Sequence, residues 1–502
     1  MSRWPGSRHR WPTAAELDEN ILSIRITGEG GVSVPGQTFR IQDAEVDGRI
    51  VDVRWRDGVV LSARSKAERS LRMDSNEDVA LIDADGGALL PGLHDHHLHL
   101  MALAAARGSV HVGPPEVLSE AAFALALRTA CQAAADGWVR SVGYHESVAG
   151  DLDAVTLDRL VPEGANVAVR VQHRSGQLWI LNERAIVAID LGNVGDVGVD
   201  RDAHGRPTGR VYGLDPLLAQ RIPTSTPDLL GAATEIASYG VTGITDLTPT
   251  EDVAELDILL AHVGRPGFPL DVTITGGLGL PTDDLMGLGI GPVKFLPDHR
   301  VPDPDALAEG FRRAHNSSRN VAVHCVSRVG LVVALWAWRE VGALPGDRIE
   351  HGGVIPEELF DEIASLGLTV VTQPNFVSER GDAYLAEVDA DDIGSLWRCG
   401  SLQTGGIAVA AGTDAPFGHP DPWRAMAAAV NRTTHSGVVL GSSERISPKA
   451  ALSLFLGSAM SPTIPRHIAE GAATDLCLLD QSLDRALADL SSKAVRQTFR
   501  RS

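Results

Sequence analysis

Four histidines crowd into the last six positions of the segment Pro91-Gly92-Leu93-His94-Asp95-His96-His97-Leu98-His99. Side chains two apart on a strand share a face, so His97 and His99 can point together and hold one divalent ion. His94 and His96 obey the same spacing, and the local pattern leaves both pairs open. Farther along, Lys294, His324, His351 and Asp414 stand at or just beyond the ends of short apolar runs. Singly, each has an ordinary reading: an ion-paired lysine, two hydrogen-bonded histidines, and a helix-capping aspartate after Gly412-Thr413. Jointly they offer imidazoles and a carboxylate from separate strands, which suits a borderline divalent cation and serves no packing pattern.

Those runs indicate the elements that must carry the side chains. Short apolar stretches recur at 88–90, 241–244, 272–274, 293–296, 321–323, 348–349, 368–371 and 407–410, with helical patterns between them. Such alternation predicts an α/β fold built from βα units around a parallel sheet. Eight strands would close a TIM-type (β/α)8 barrel, whose functional groups gather at the C-terminal ends of its strands. A further candidate strand, 167–171, falls in the long interval after the first run, so about 105–225 reads as an insertion capping the barrel mouth. Upstream, 21–88 reads as short strands punctuated by Gly-Glu-Gly-Gly at 28–31, Asp47-Gly48 and Asp57-Gly58. Strand character returns at 474–479. The expected plan is therefore an N-terminal β module at 21–88, a barrel at 89–460, and a segment at 461–502 that rejoins the module as a small β-sandwich.

With 502 residues, 44% of them hydrophobic, the chain can bury one large core and still carry such additions. Its formal net charge of −21 would repel phosphate backbones and anionic lipid headgroups, so neither nucleic acid nor a membrane is an expected partner. The cysteines Cys131, Cys325, Cys399 and Cys477 form no CxxC pair, which predicts neither a thiolate zinc knot nor a disulfide framework. Residues 1–20 contain no apolar run of signal-peptide length, and no apolar stretch of about 18 residues occurs anywhere. A cytoplasmic location is expected.

On these residues the chain resembles the amidohydrolase superfamily, in the branch that includes YtcJ-like hydrolases and N-substituted formamide deformylases. The likeness runs over about 79–479. The family pattern Pro-Gly-x-x-Asp-x-His-x-His matches Pro91, Gly92, Asp95, His97 and His99, which puts the register on His97 and His99. A lysine on the fourth strand is matched by Val293-Lys294-Phe295. Histidines on the fifth and sixth are matched by Val323-His324 and Arg348-Ile349-Glu350-His351, and an aspartate on the eighth by Gly412-Thr413-Asp414-Ala415-Pro416. Further matches at 240–246, at Thr372-Gln373-Pro374 and at Ala473-Thr474-Asp475-Leu476 speak of fold more than of chemistry.

The resemblance implies a metal-dependent hydrolase that cleaves a non-peptide C–N bond, of amide, formamide, carbamate or urea type, in a small molecule. The implied metal ligands are His97, His99, Lys294, His324, His351 and Asp414. Two divalent ions are implied, with zinc the first expectation and manganese, iron, cobalt or nickel compatible with the same donors. Lys294 would be carboxylated, since a buried neutral amine can take up carbon dioxide and bridge two cations through the carbamate oxygens. His97, His99 and Asp414 would hold one ion, and His324 and His351 the other. Water acidified toward a pKa of about 7 would attack, and Asp414 would be the proton shuttle. Asp95, Glu350 and Thr413 are candidates for orienting the metal-bound imidazoles. A homodimer is also implied.

On the substrate side, His173-Arg174-Ser175-Gly176-Gln177-Leu178-Trp179-Ile180-Leu181-Asn182 resembles a family stretch that brings a histidine to the substrate, and Gln177 stands in that place here. Gln177, Trp179 and Asn182 are therefore candidate substrate contacts. Phe376 and Trp423 could form an apolar wall, and Cys325 reads as core. His145, His299 and His419 read as solvated loop residues. Other readings keep the same site but open cyclic amides, hydrolyse thiocarbamates or phenylureas, or deaminate. Lys294 weighs against the single-metal deaminase. A remote alternative is a barrel kept only as a scaffold, against which every expected ligand position is filled.

Overall fold

The computed structural model describes residues 37–500 apart from 66–67, 69–78, 135–136, 161–165, 223–226, 250–252, 264, 281–284, 286 and 298–302. The 21–36 part of the expected β module and His299 lie outside the described residues.

Parallel strands that pair in chain order run in two hydrogen-bonded sheets and make one ring. They are β1 (Leu93–Leu98), β2 (Val241–Asp246), β3 (Asp271–Ile274), β4 in two pieces (Leu288–Ile290 and Val293–Phe295), β5 (Val321–Cys325), β6 (Arg348–His351), β7 (Thr369–Thr372) and β8 (Ala408–Ala411). The two pieces of β4 join the sheets, because Gly291 N donates to Ile274 O and Lys294 N to Gly276 O. The ring closes just past β8, where Asp414 N donates to His97 O at 2.7 Å and His99 N to Ala415 O at 2.8 Å. Gly412 permits that approach, since a Cβ there would lie 2.4 Å from His97 N.

Sequence logic explains the helices that wrap the ring. Helix Pro304–Asn316 starts on Asp303, whose side chain accepts from Ala306 N, and has proline in its first turn. Its Leu307, Ala308, Phe311 and Ala314 recur at helical spacing and are buried against the ring. Phe311 packs on Trp338 of helix Arg328–Val341, with ring centroids 5.1 Å apart. Full burial of a large apolar side chain such as Phe311 stabilises the fold by roughly 1.5–3 kcal/mol.

The run at 88–90, expected to be the first barrel strand, belongs elsewhere. Leu89–Pro91 pairs antiparallel with Leu476–Leu479, which pairs in turn with Val495–Phe499, and the ring starts only at Leu93. An apolar triplet cannot reveal its partner by composition, and here the returning C-terminal segment claims it. A four-stranded sheet of Thr38–Val46, Arg49–Arg56, Val59–Ser65 and Val79–Asp83 packs beside this one. Ile41, Val53, Leu89, Leu476 and Leu478 share their core, and Val60 N donates to Ala472 O. Asp47-Gly48 and Asp57-Gly58 take positive φ at both residues, as tight hairpins need.

Between β1 and β2 a six-stranded mixed sheet runs from Val110–His111 to Pro207–Tyr212, and 167–171 falls on its strand Ala168–His173. It has cores of its own, one around Phe123, Tyr144 and Val171 and another around Trp179 and Leu191. It meets the barrel where Gly176 lies against the Phe417 ring and Arg380 donates to Arg174 O and Phe417 O. Among the described residues no helix is long and apolar enough to cross a membrane.

Candidate metal centre

Ile244 pairs with Asp95 and Asp246 with Leu98, so β1 carries an extra residue over that step. Such a bulge re-aims the side chains around it, and both histidine pairs form. The His94 and His96 rings lie 4.6 Å apart, with His94 Nε2 2.9 Å from Thr245 Oγ1. The His97 and His99 rings lie 5.6 Å apart, and this pair meets Asp414: Oδ1 is 3.5 Å from His97 Nε2 and 3.2 Å from His99 Nε2. His351 brings its ring 4.5 Å from that of His97, and His324 sits 4.4 Å from His351. Lys294, on β4, is buried within reach of the charges of Glu350 and Asp414. All six side chains expected to bind metal are thus brought to one end of the ring. His351 at φ 69° and Asp414 at φ 56° adopt the left-handed region, a conformation that costs of order 1–3 kcal/mol and tends to persist at functional sites.

Three of the imidazoles have Nδ1 against an oxygen. Glu350 Oε2 lies 2.6 Å from Nδ1 of His97, Thr248 Oγ1 3.1 Å from that of His99, and Gln373 Oε1 2.8 Å from that of His351. With the proton on Nδ1, each ring presents Nε2 as a lone pair. Burial holds the His97 and His351 imidazoles well below their ordinary pKa, helped by neighbouring positive charge, so both rings are neutral donors. Burial also lowers the Lys294 ammonium to about 8.

A divalent cation fits these residues. His97 Nε2, Asp414 Oδ1 and Lys294 Nζ are buried without a hydrogen-bond partner. An unsatisfied buried polar atom costs about 1–3 kcal/mol, more when charged. Three of them in one cluster of neutral imidazoles, a carboxylate and an amine make a donor set that a cation satisfies. A cavity of about 390 Å³ lies at the opposite, N-terminal ends of β2 and β3, lined by His94, Thr242, Asp271 and Arg466 and by none of the six.

Of the expected orienting residues, Glu350 does contact an imidazole. Asp95 and Thr413 do not: Asp95 accepts from His97 N, Thr413 N and Thr413 Oγ1, buckling β1 to the end of β8. Gln373 went unrecognised although Thr372-Gln373-Pro374 stood out in the sequence. Its position just after β7, at the barrel mouth, was the available signal.

The substrate-side expectations need correction. Asn182 is 2% exposed, and its amide is fully engaged, accepting from Val169 N and Ala185 N and donating to Asp158 and Val167 O. Trp179 donates to Asp215 Oδ1, and its ring lies under Arg140 and Arg170. Both hold the inserted sheet together and have nothing left for a ligand. Trp423 is completely buried in the main core, donating to Tyr239 O, and forms no pocket wall. Cys325 is core as expected. Gln177 is half-buried beside the Gly176–Phe417 contact, and the Phe417 ring lies 5.4 Å from that of His99.

A model of the amidohydrolase family matches residues 80–501. An N-substituted formamide deformylase of Arthrobacter pascens is 23% identical over 500 residues, covering 86% of this chain and 91% of its own length. Two uncharacterized metal-dependent hydrolases share the fold. That of Pyrococcus horikoshii OT3 matches with a TM-score of 0.70 at 17% identity, over 89% of this chain and 98% of its own. That of Pyrococcus furiosus matches with a TM-score of 0.68 at 20% identity, over 89% and 99%.

Proposed function

We propose, from the premise that this chain belongs to the amidohydrolase family, that it hydrolyses a non-peptide C–N bond of amide, formamide, carbamate or urea type in a small molecule. The observation that carries this reading is the convergence of His97 Nε2, Asp414 Oδ1 and Lys294 Nζ, all buried and none making a hydrogen bond, among imidazoles turned by Glu350, Thr248 and Gln373. The name of the Arthrobacter relative makes N-formyl amines the first substrate class to test.

His97, His99 and Asp414 would hold one divalent ion, zinc first among the candidates, and His324 and His351 a second, with carboxylated Lys294 between them. Such ions supply Lewis acidity toward the substrate carbonyl and acidify a water for attack at neutral pH. Asp414 accepts the proton of the attacking water and delivers it to the nitrogen as the C–N bond breaks, because an amine leaves poorly as an anion. Lys294, neutral in an appreciable fraction of molecules near pH 8, adds its Nζ lone pair to carbon dioxide and releases one proton to form the carbamate. Gln177 offers a neutral amide to a polar group of the substrate, and Phe417 an apolar surface to its substituent.

In this reading the two small terminal sheets form one sandwich module, and about 105–225 caps the barrel mouth. The enzyme works as a cytoplasmic homodimer on a small molecule without nucleic acid. Metal counting on the purified chain, combined with a hydrolysis screen over N-formyl amines, N-acyl amino acids, carbamates and phenylureas, tests the proposal. About two ions per chain that disappear when the barrel-centre ligands are replaced, together with amine release, support it. A chain that binds no ion and stays inactive after reconstitution overturns it.

A further inference from the structure

A second group of metal-ligating side chains lies away from the barrel cluster, where the inserted sheet meets the barrel. His145 follows strand Trp138–Tyr144, His173 ends strand Ala168–His173, and Glu146 adjoins His145. One ligand atom from each of these three lies within 4.8 Å of the others. Both histidines aim at one carboxylate: Glu146 Oε2 is 3.2 Å from His173 Nε2 and 3.6 Å from His145 Nε2. Glu387, the last residue of barrel helix Asn375–Glu387, brings Oε1 to 3.5 Å from His145 Nε2.

The same device orients both rings. His145 Nδ1 lies 2.8 Å from the hydroxyl of Ser147, and His173 Nδ1 lies 2.8 Å from that of Ser175, two residues on in each case. Each serine N–H also donates to the same Nδ1, at 3.3 Å and 3.2 Å, so here Nδ1 is an acceptor and Nε2 carries the proton toward the carboxylates. A hydroxyl can donate to Nδ1 or accept from it. On binding a cation each imidazole moves its proton from Nε2 to Nδ1, where the serine hydroxyl accepts it and the longer serine N–H bond is given up, and Nε2 then has a lone pair to share. The neighbouring positive charges are Arg380 and Arg174, and Nη2 of Arg174 is 3.8 Å from the second oxygen of Glu387. That contact leaves Oε1 toward His145.

We propose that His145, His173, Glu146 and Glu387 form a binding site for a divalent transition-metal ion of the zinc class, which staples the inserted sheet to the barrel helix Asn375–Glu387. His145, His173 and Glu146 already lie within mutual reach, and the half-exposed Glu387, placed beside His145, would turn in to complete a tetrahedral shell, the arrangement of a structural rather than a catalytic ion. The turn after His173 packs on Phe417 through Gly176, and Phe417 packs on His99. The staple therefore fixes the wall of the barrel mouth while sharing no ligand with the barrel centre.

The test compares the full-length wild type with a His145→Ala/His173→Ala variant, each dialysed against zinc and then against metal-free buffer. Ion content and melting temperature are measured with and without added zinc. The variant is expected to hold about one zinc fewer per chain and to lose a zinc-dependent rise in melting temperature that the wild type shows. Equal ion content, with the same response to zinc in both proteins, would leave only a histidine–carboxylate charge cluster and overturn the proposal. If the double variant does not fold, cobalt(II) titration of a His97→Ala/His99→Ala chain replaces it. Tetrahedral cobalt absorption that disappears on adding Glu146→Gln supports the staple, and its absence at the start refutes it.

Discussion

Glu350 Oε2 lies 2.6 Å from Nδ1 of His97, although 253 positions separate the two residues. Arg348 donates to the other oxygen of Glu350 and to the carbonyl of His96, so β6 grips β1 through the inside of the ring. A Glu350→Gln variant keeps the shape but loses the charge that favours the Nδ1–H tautomer of His97, and it strands the Arg348 guanidinium. Metal affinity, read by competition with a chelator, should fall about 10–100-fold. Unchanged affinity would remove Glu350 from this role.

Asp414 Oδ1 lies beside Nε2 of both His97 and His99 yet makes no hydrogen bond. The Asp414→Asn variant should retain most of its metal yet lose turnover by about 10²-fold or more. Ion counting and single-turnover kinetics on the same preparation separate the two effects, and near wild-type turnover would rule out the proton-shuttle role.

Burial brings Lys294 to about 8, so its free amine becomes more abundant as pH rises toward that value. Metal uptake by stripped protein should need dissolved carbon dioxide and, at fixed carbon dioxide, run about fivefold faster at pH 8 than at pH 7. Lys294→Gln should take up fewer ions and ignore bicarbonate. Uptake by the wild type that is indifferent to carbon dioxide would count against a carbamate.

Burial also raises Asp95 from 3.8 to about 7. Below its unfolded value, folded and unfolded chains both carry the proton. As pH climbs toward 7 the unfolded chain releases it and the folded one keeps it, so this residue's stabilising contribution is lost over that window and then levels off. Chemical denaturation of metal-free wild type and Asp95→Asn should show the wild type losing ground, by up to about 4 kcal/mol, between roughly pH 4 and pH 7. Parallel pH profiles would contradict the raised value.

Asn182 accepts two hydrogen bonds and donates two inside the inserted sheet. Asn182→Ala should cost roughly 1–3 kcal/mol of stability and leave the KM of the surviving folded enzyme unchanged. A selective rise in KM would instead restore a substrate contact.

By itself the sequence determined the chemistry available at the strand ends and the parallel alternation beneath it. Apolar runs followed by Lys294, His324, His351 and Asp414 announce a barrel mouth, because strand period and the side on which a barrel gathers its polar groups are local properties. The same period could not choose between His94 with His96 and His97 with His99. That choice rests on a bulge created by pairing with β2, which the resemblance supplied and the spacing could not. Tertiary structure alone decided that Leu89–Pro91 leaves the barrel for the C-terminal strand, that Gln373 meets His351, that Trp179 and Asn182 are spent on packing, and that His145 and His173 face one carboxylate. Each of these depends on which distant backbone lies alongside. Register and chain return set those neighbours across tens to hundreds of positions, and residue type carries no record of the partner.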